Sequence, residues 1–315
     1  MTISKRVEQT MKLATIKNAI VYKAHLLDAD LLAGHLKEFP FSEIGELHMA
    51  SVGFIPNLIT AELVTPFQGG LSLSLRIDEK IIPGAAVRKE VQDRVATIEL
   101  EVGKKLKRAE KLNIKDMVLA DFCKKAFVKT TVLNAFYNTE HHLLIVATGS
   151  KHYAGVLVSY LVKAVGSVKT ETIHISDIKH GLTTKLKTYL NGDDRAFDGF
   201  QVGDFTQLSR KFEQKEVIKY SVDIDNIRDE LRENLLSGYI VDSINLRYGD
   251  VSFVLTENFH FKRVDLRELA DNDEDDLPYR WRHEASVATL LLTSVINTLC
   301  VLLSYKPQEK EINPQ

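Results

Sequence analysis

Cysteine, proline and tryptophan are scarce in this sequence, and its net charge is close to zero. The 315 residues include two cysteines, seven prolines and one tryptophan, and the formal net charge is −2. Cys123 and Cys300 each lie in an apolar, helical-looking segment, which is more typical of buried thiols than of a disulfide or metal site and fits a reducing cytoplasm. Any affinity for a polyanion has to come from an uneven distribution of charge.

The short motifs of many enzyme classes are also missing. The sequence contains no Gly-x-Ser-x-Gly, His-Glu-x-x-His or Gly-x-Gly-x-x-Gly, and its ten histidines lack metal-ligand spacing. The acidic run 271–276 begins like a calcium loop, but Asp276 stands where Gly is required and Arg282 where Glu is required. Thr148-Gly149-Ser150-Lys151 lacks the residue order of a phosphate loop. We therefore expect no catalytic residue, no metal site and no cofactor.

The hydropathy pattern predicts an α+β fold. Strands are expected at 15–22, 70–77, 131–137, 143–147, 239–247, 251–255 and 259–264. Helices are expected at 28–38, at 153–165 and from Asp225 to Gly238, and 182–212 is interpreted as a small, separately packed lobe. After Pro83-Gly84, apolar residues at steps of three and four predict a helix that reaches Lys111. Asn113 and Asp116 are interpreted as the cap of a second helix, so that the two helices form a hairpin.

The most specific functional feature is a basic stripe on the first hairpin helix. Lys104, Lys107, Arg108 and Lys111 have the spacing i, i+3, i+4, i+7, which places four cations on one face of a helix. Lys105 is expected on the flank of this face and Lys89 near its far end. Such a row matches a phosphate backbone, although a basic helix face exposed only to water is an open alternative.

Charge also separates along the chain. Residues 84–130 hold twelve Lys or Arg against seven Asp or Glu, whereas residues 264–284 hold three against eight. This polarity is typical of a protein that offers one surface to a polyanion.

The last helix, expected at 279–304, includes an uncharged run from Ala285 to Tyr305 that is close to the length of a membrane span. A polar stripe of Thr289, Thr293 and Asn297 favours a buried or interface helix, packed against the hairpin or at a dimer contact. We therefore expect no membrane attachment, and the charged first sixteen residues do not resemble an export signal.

Several segments, in order and spacing, resemble the RdgC family of bacterial recombination-associated proteins. They are Ser51-Val52-Gly53-Phe54, Ile81-Ile82-Pro83, the run 103–111, Ile114 to Leu119, Lys125-Ala126-Phe127, Gly199-Phe200-Gln201 and the run 259–264. The resemblance covers residues 17–303 approximately. It departs from the family pattern before Lys17, in the uncharged last helix, and after Val217-Ile218-Lys219, where no contact residue is carried over.

The resemblance implies a horseshoe-shaped subunit with a β-sheet centre, a helical hairpin projection and a small tip lobe, closing into a ring-shaped homodimer. The expected domains are a central one (15–82, 131–174 and 239–264), the hairpin (83–130, with the helix 279–304 nearby) and the tip lobe (175–238).

The function implied by the resemblance is sequence-independent binding of double-stranded DNA that restrains RecA-mediated recombination, in the cytoplasm at the nucleoid, without enzymatic activity. Lys89, Lys104, Lys105, Lys107, Arg108 and Lys111 would contact DNA. Phe127 would lie at a dimer contact, although a core position is the open alternative for this aromatic. A protein-interaction module without DNA contact is the alternative function, and a metal-dependent nuclease is a third.

Overall fold

The computed structural model describes residues 14–172, 181–266 and 276–304, which form an α+β fold. The described α-helices are α1 (Ala29–Leu36), α2 (Gly84–Val102), α3 (Arg108–Lys125), α4 (Lys151–Val165), α5 (Gly181–Leu190), α6 (Arg228–Leu236) and α7 (Leu277–Leu302). The described strands are β1 (Ala19–Lys23), β2 (Ala50–Ile55), β3 (Val64–Phe67), β4 (Gly70–Ile81), β5 (Phe127–Asn138), β6 (Leu143–Val146), β7 (Glu171–Thr172), β8 (Gln201–Lys211), β9 (Lys215–Ser221), β10 (Ile240–Tyr248), β11 (Val251–Thr256) and β12 (His260–Leu266).

All described strands belong to one antiparallel sheet. Its order is β2-β4-β5-β6-β1-β12-β11-β10-β8-β9, with β3 also paired to β4 and β7 to β1. The short strand β1 joins the two halves, because it pairs with β6 on one side and with β12 on the other. The sheet is therefore continuous between strands that are far apart in the sequence.

Each face of the sheet contributes to a separate apolar core. The first core contains Trp281, Leu292 and Leu299 of α7, packed with inward residues of β8, β10, β11 and β12 and with α5 and α6. The second core lies beneath α1 and α4, against β4, β5 and β6. Strand alternation explains this division, since successive side chains of a strand point to opposite faces.

The helix α7 packs on the sheet, so the prediction that it packs against the hairpin was wrong, while a dimer contact stays a prediction. Its inward residues belong to the first core, the Asn138 amide of β5 donates to Thr293 Oγ1 at 3.3 Å, and Ser286 Oγ donates to Gln68 O at 2.7 Å. Thr293 of the predicted polar stripe is thus buried. By length and composition α7 is also the one helix of the described residues that could cross a membrane.

The segment interpreted as a small lobe shares the first core. Leu186, Phe197 and Leu208 belong to the same cluster as Trp281, and β8 and β9 extend the sheet beyond β10. Its packing is therefore not separate, while the division of the chain into three domains stays a prediction.

Candidate nucleic-acid interface

The helical hairpin is present, but its turn lies nearer the N-terminus than the sequence pattern predicts. Helix α2 ends at Val102, and Gly103 follows in the left-handed conformation with φ 67°. Glycine is favoured there because a side chain would clash with the backbone. Helix α3 then begins at Arg108, so Asn113 lies inside a helix and does not cap one.

This turn corrects the predicted basic stripe. Lys104 and Lys105 lie in the loop between the helices, Lys107 caps α3, and Arg108 and Lys111 are in the first turn of α3. The i, i+3, i+4, i+7 spacing therefore does not define one helix face. The cations are instead gathered at the tip of the hairpin.

The hairpin has a small apolar cluster of its own, distinct from the two cores of the sheet. Val87, Ile114 and Val118 are buried in it, and Val91, Val95, Ile98, Leu106, Leu119 and Phe122 are partly buried against them. The first four apolar residues that predicted this helix, Val87, Val91, Val95 and Ile98, therefore do face α3. The next one, Val102, is 52% exposed. Arg94 of α2 also pairs with Asp121 of α3 at 3.0 Å. These contacts hold the two helices together as a projection.

Glu99 fixes the loop at the tip. Its Oε1 accepts the Leu106 backbone N–H at 2.9 Å and lies 2.9 Å from Lys111 Nζ. Lys111 and the Leu106 N–H both lower the pKa of Glu99, because they stabilise its charged form. The Lys107 N–H donates in turn to Glu110 Oε2 at 2.6 Å. Three side chains thus determine the path of a short loop that the sequence pattern places inside a helix.

Four cations remain free at this tip. Lys104, Lys105, Lys107 and Arg108 are exposed, and none of them forms an ion pair with a residue in the described ranges. They lie within five consecutive residues at the end of a braced projection. Flexible cations at that density suit the evenly spaced charges of a phosphate backbone.

The other two predicted DNA contacts differ from these four. Lys111 is engaged by Glu99 and its side chain is 42% exposed. Lys89 is exposed but lies in the second turn of α2, about 20 Å along the helix axis from its end at Val102. The structure therefore brings together Lys104, Lys105, Lys107 and Arg108, leaves Lys111 beside them in an ion pair, and separates Lys89.

Phe127 is the first residue of β5, directly after the hairpin, and is 85% exposed. This exposure rules out the alternative that Phe127 is a core residue. Its partner in the sheet, Ile81, lies on the same face and is 54% exposed. A small apolar patch therefore lies at the base of the hairpin.

Glu99 is a functional residue that the sequence analysis missed. In the sequence, Glu99 is only an acidic residue within a mainly basic segment. In the structure it orders the tip and neutralises Lys111. The glycine at 103 was the available signal, because a glycine within a helical pattern can mark a C-terminal cap.

Comparison with known proteins identifies a family. Residues 15–305 match a family described as "Putative exonuclease, RdgC". Proteins named recombination-associated protein RdgC are similar over most of their length. The one from Psychromonas ingrahamii is 27% identical over 270 residues, 83% of this chain and 88% of the relative. The protein from Neisseria meningitidis strain FAM18 is 27% identical over 262 residues, which cover 81% of this chain and 85% of the relative.

The protein from Tolumonas auensis is 28% identical over 252 residues, which cover 79% of this chain and 82% of the relative. The family match spans nearly all of the described structure, including the hairpin and α7. This chain therefore belongs to the RdgC family of recombination-associated proteins.

Proposed function

We propose that this chain binds double-stranded DNA without sequence preference, as a homodimer of horseshoe-shaped subunits closed into a ring, and thereby restrains RecA-mediated recombination at the nucleoid. The single observation that carries the proposal is the group of free, exposed cations at the hairpin tip: Lys104, Lys105, Lys107 and Arg108. The names of the relatives support a role in recombination.

Charge at the tip favours contact with phosphates over base readout. Lysine and arginine on phosphate oxygens carry no sequence information by themselves, and the tip lacks the Asn and Gln side chains that pair with adenine edges. Binding of this kind weakens as salt rises, by about 0.9 in log affinity per log salt for each phosphate neutralised. A closed dimer would add a second tip and double the number of phosphates that are neutralised.

The exposed patch at Phe127 supports the homodimer. A two-fold contact brings the same surface of each subunit together, and a mostly exposed aromatic beside Ile81 is suited to such a contact. The patch is small, so a second contact elsewhere would be needed to close the ring.

The deciding experiment measures fluorescence anisotropy of a labelled duplex and of scrambled duplexes at several salt concentrations, in EDTA. We expect similar affinity for all sequences, and replacement of Lys104, Lys105, Lys107 and Arg108 by alanine should lower the salt slope by about 0.9 for each phosphate that is no longer neutralised. The control replaces four exposed cations outside the tip, Lys37, Lys163, Lys187 and Arg195. An equal reduction of the slope in both variants would contradict the proposal.

The same assay separates the two alternatives. A protein-interaction module predicts no binding to any duplex at low salt. The family description names an exonuclease, so a second arm adds Mg²⁺ or Mn²⁺ and follows end-labelled DNA on a gel. The described residues contain no group of three His, Cys, Asp or Glu side chains suited to a metal ion. Metal-dependent shortening of the DNA would replace binding by catalysis as the primary activity.

A further inference from the structure

The strands β8 to β12 have one face that none of the described helices covers. Their inward residues, such as Leu208, Ile244 and Phe253, point into the first core. Helices α1 and α4, which cover the other side of the sheet, pack on β4, β5, β6 and β1 and not on β8 to β12. Half of that side of the sheet is therefore open.

Two side chains meet across this open face. The Arg263 guanidinium of β12 lies 4.7 Å from the centre of the Phe205 ring of β8, although β11 and β10 lie between those strands. Three strand spacings correspond to about 14 Å in a flat sheet. The Arg263 and Phe205 side chains therefore extend towards each other over β11 and β10.

Arg263 occupies an unusual backbone position. Its φ is +50°, a region that side-chain-bearing residues seldom adopt, and β12 gains one extra residue relative to β11 at this point. Such bulges redirect a side chain and occur often at binding sites. Here the bulge coincides with the side chain that crosses the open face.

A cavity of about 490 Å³ lies beneath and beside this crossing. Gly203, Asn245 and Val254 lie along its middle, and a side chain at 203 would overlap the Asn245 amide oxygen. Asn245 is held in place, because its Nδ2 donates to Phe253 O at 2.9 Å. The absence of a side chain at Gly203 therefore allows Asn245 to pack closely against β8.

The two ends of the cavity carry different chemistry. At one end Arg247 stands opposite Gln201 in the sheet and forms no ion pair within the described part of the chain. At the other end lie the Arg263 and Phe205 pair and the carboxylate of Asp223, with Asp204 between the ends. A bulge shortens β8 between the two ends, because Val202 and Thr206 pair with Leu246 and Ile244, which are only two residues apart on β10.

We propose that this open-face pocket binds one nucleotide, with the phosphate at Arg247 and the base on the Arg263 guanidinium. A free arginine binds phosphate through parallel N–H donors. A guanidinium held over an aromatic ring presents its second face as a flat surface on which a base stacks. The carboxylate of Asp204, between the two ends, accepts hydrogen bonds from exocyclic amino groups.

The mixture of charges supports a nucleotide over a simple anion. Two arginines and two aspartates line the same cavity, so a bare phosphate would meet repulsion as well as attraction, whereas a base with amino donors satisfies the carboxylates. The nucleotide can be free or can belong to an unpaired stretch of a DNA strand. This site is separate from the hairpin tip, so the proposal does not depend on duplex binding there.

The test titrates the full-length protein with deoxyadenosine 5′-monophosphate, with the octanucleotide of deoxyadenosine and with inorganic phosphate, by isothermal calorimetry. We expect saturable binding of the nucleotide that is tighter than that of phosphate. Arg247→Gln and Arg263→Gln should each weaken nucleotide binding about tenfold, the usual scale for one charged hydrogen-bonding partner. The matched control is Arg195→Gln, an exposed arginine outside the cavity, which should leave binding unchanged.

The outcomes separate the two sources of the ligand. If only the octanucleotide binds and both pocket variants weaken it, the occupant is a nucleotide within a strand. If phosphate binds as tightly as the nucleotide, or if neither pocket variant changes binding of any probe, the proposal is overturned. Arg263→Lys keeps the charge but removes the planar surface, so it should behave like Arg263→Gln even if the latter melts at lower temperature.

Failure of this site and failure of duplex binding are distinguishable. The alanine variant of the four tip cations should bind the mononucleotide as the parent does, because the tip lies outside the cavity. Arg247→Gln should bind duplex DNA with the parent's salt slope.

Discussion

Lys111 and Glu99 form an ion pair across the hairpin turn, with 2.9 Å between Nζ and Oε1. The pair joins α3 to α2 next to four cations that have no such partner within the described ranges. The pair therefore removes one positive charge, that of Lys111, from those the tip can offer to a ligand. The same Glu99 carboxylate also orders the loop.

Glu99→Gln tests this relationship. The substitution should release Lys111 to bind phosphate while keeping an oxygen that can accept the Leu106 N–H, so duplex affinity at low salt should rise and the salt slope should increase by up to about 0.9. The measurement is duplex anisotropy across a salt series. Glu101→Gln is the control, since Glu101 is exposed and its substitution removes the same charge without releasing a lysine. An equal slope in both variants would show that Lys111 is already available.

The same pair predicts how the tip responds to acid. Lys111 and the Leu106 N–H lower the pKa of Glu99 in the folded protein. The stabilisation that the charged Glu99 gives to the tip is therefore complete above the pKa of an unfolded glutamate, about 4.3. It is lost as the pH falls through the lower pKa that Glu99 has in the folded protein. The Leu106 amide resonance should shift across that acid range. In Glu99→Gln the shift should disappear, and its persistence would assign the effect to another carboxylate.

Phe127→Ser should weaken self-association without unfolding the subunit. Phe127 is 85% exposed, and substitutions at such positions usually change stability by less than about 0.5 kcal/mol. Sedimentation velocity should show more monomer at a given concentration, with the subunit's thermal melting nearly unchanged. The control is Phe212→Ser, an aromatic that is 78% exposed after β8. A large loss of stability, or equal dissociation in both variants, would argue against a dimer contact at Phe127.

Glu284→Ala should destabilise the protein by about 3–5 kcal/mol, the usual effect of removing one partner of a buried ion pair. Glu284 Oε1 accepts from Arg280 Nε at 3.2 Å, and its Oε2 accepts from the Ala14 N–H at 3.1 Å. Urea denaturation provides the measurement. Because α7 is buried against the sheet, the parent should also be recovered without detergent, and its recovery in salt-washed membranes would show that α7 has another location.

Local patterns predicted the elements of this fold better than their arrangement. The alternation of Leu71, Leu73, Leu75 and Ile77 was correct because one face of β4 is buried in the second core. The helix at 28–38 was also correct, since Asp28 caps α1 by accepting the Leu31 N–H. Both signals depend on neighbours in the sequence.

The predicted helix bounds were wrong where one sequence pattern was compatible with two structures. Leu106 continued the apolar spacing of α2, and it does reach the hairpin cluster, but it does so from the loop after Gly103. Contacts between distant residues were not predictable. Phe205 and Arg263 lie 58 positions apart and meet across two intervening strands, so no window of sequence contains the open-face pocket.

The central position of β1 has a consequence for how the chain acquires this fold. Ile20 pairs with Val146 on one side and with His260 on the other. During synthesis, β1 is therefore made long before the two strands with which it pairs. Pairings over such separations slow folding, and an unpaired apolar strand is exposed to aggregation in the meantime. We therefore expect nascent chains that end before β12 to depend on chaperones. Refolding of the full chain should also be slow, even though all described strand pairs are antiparallel.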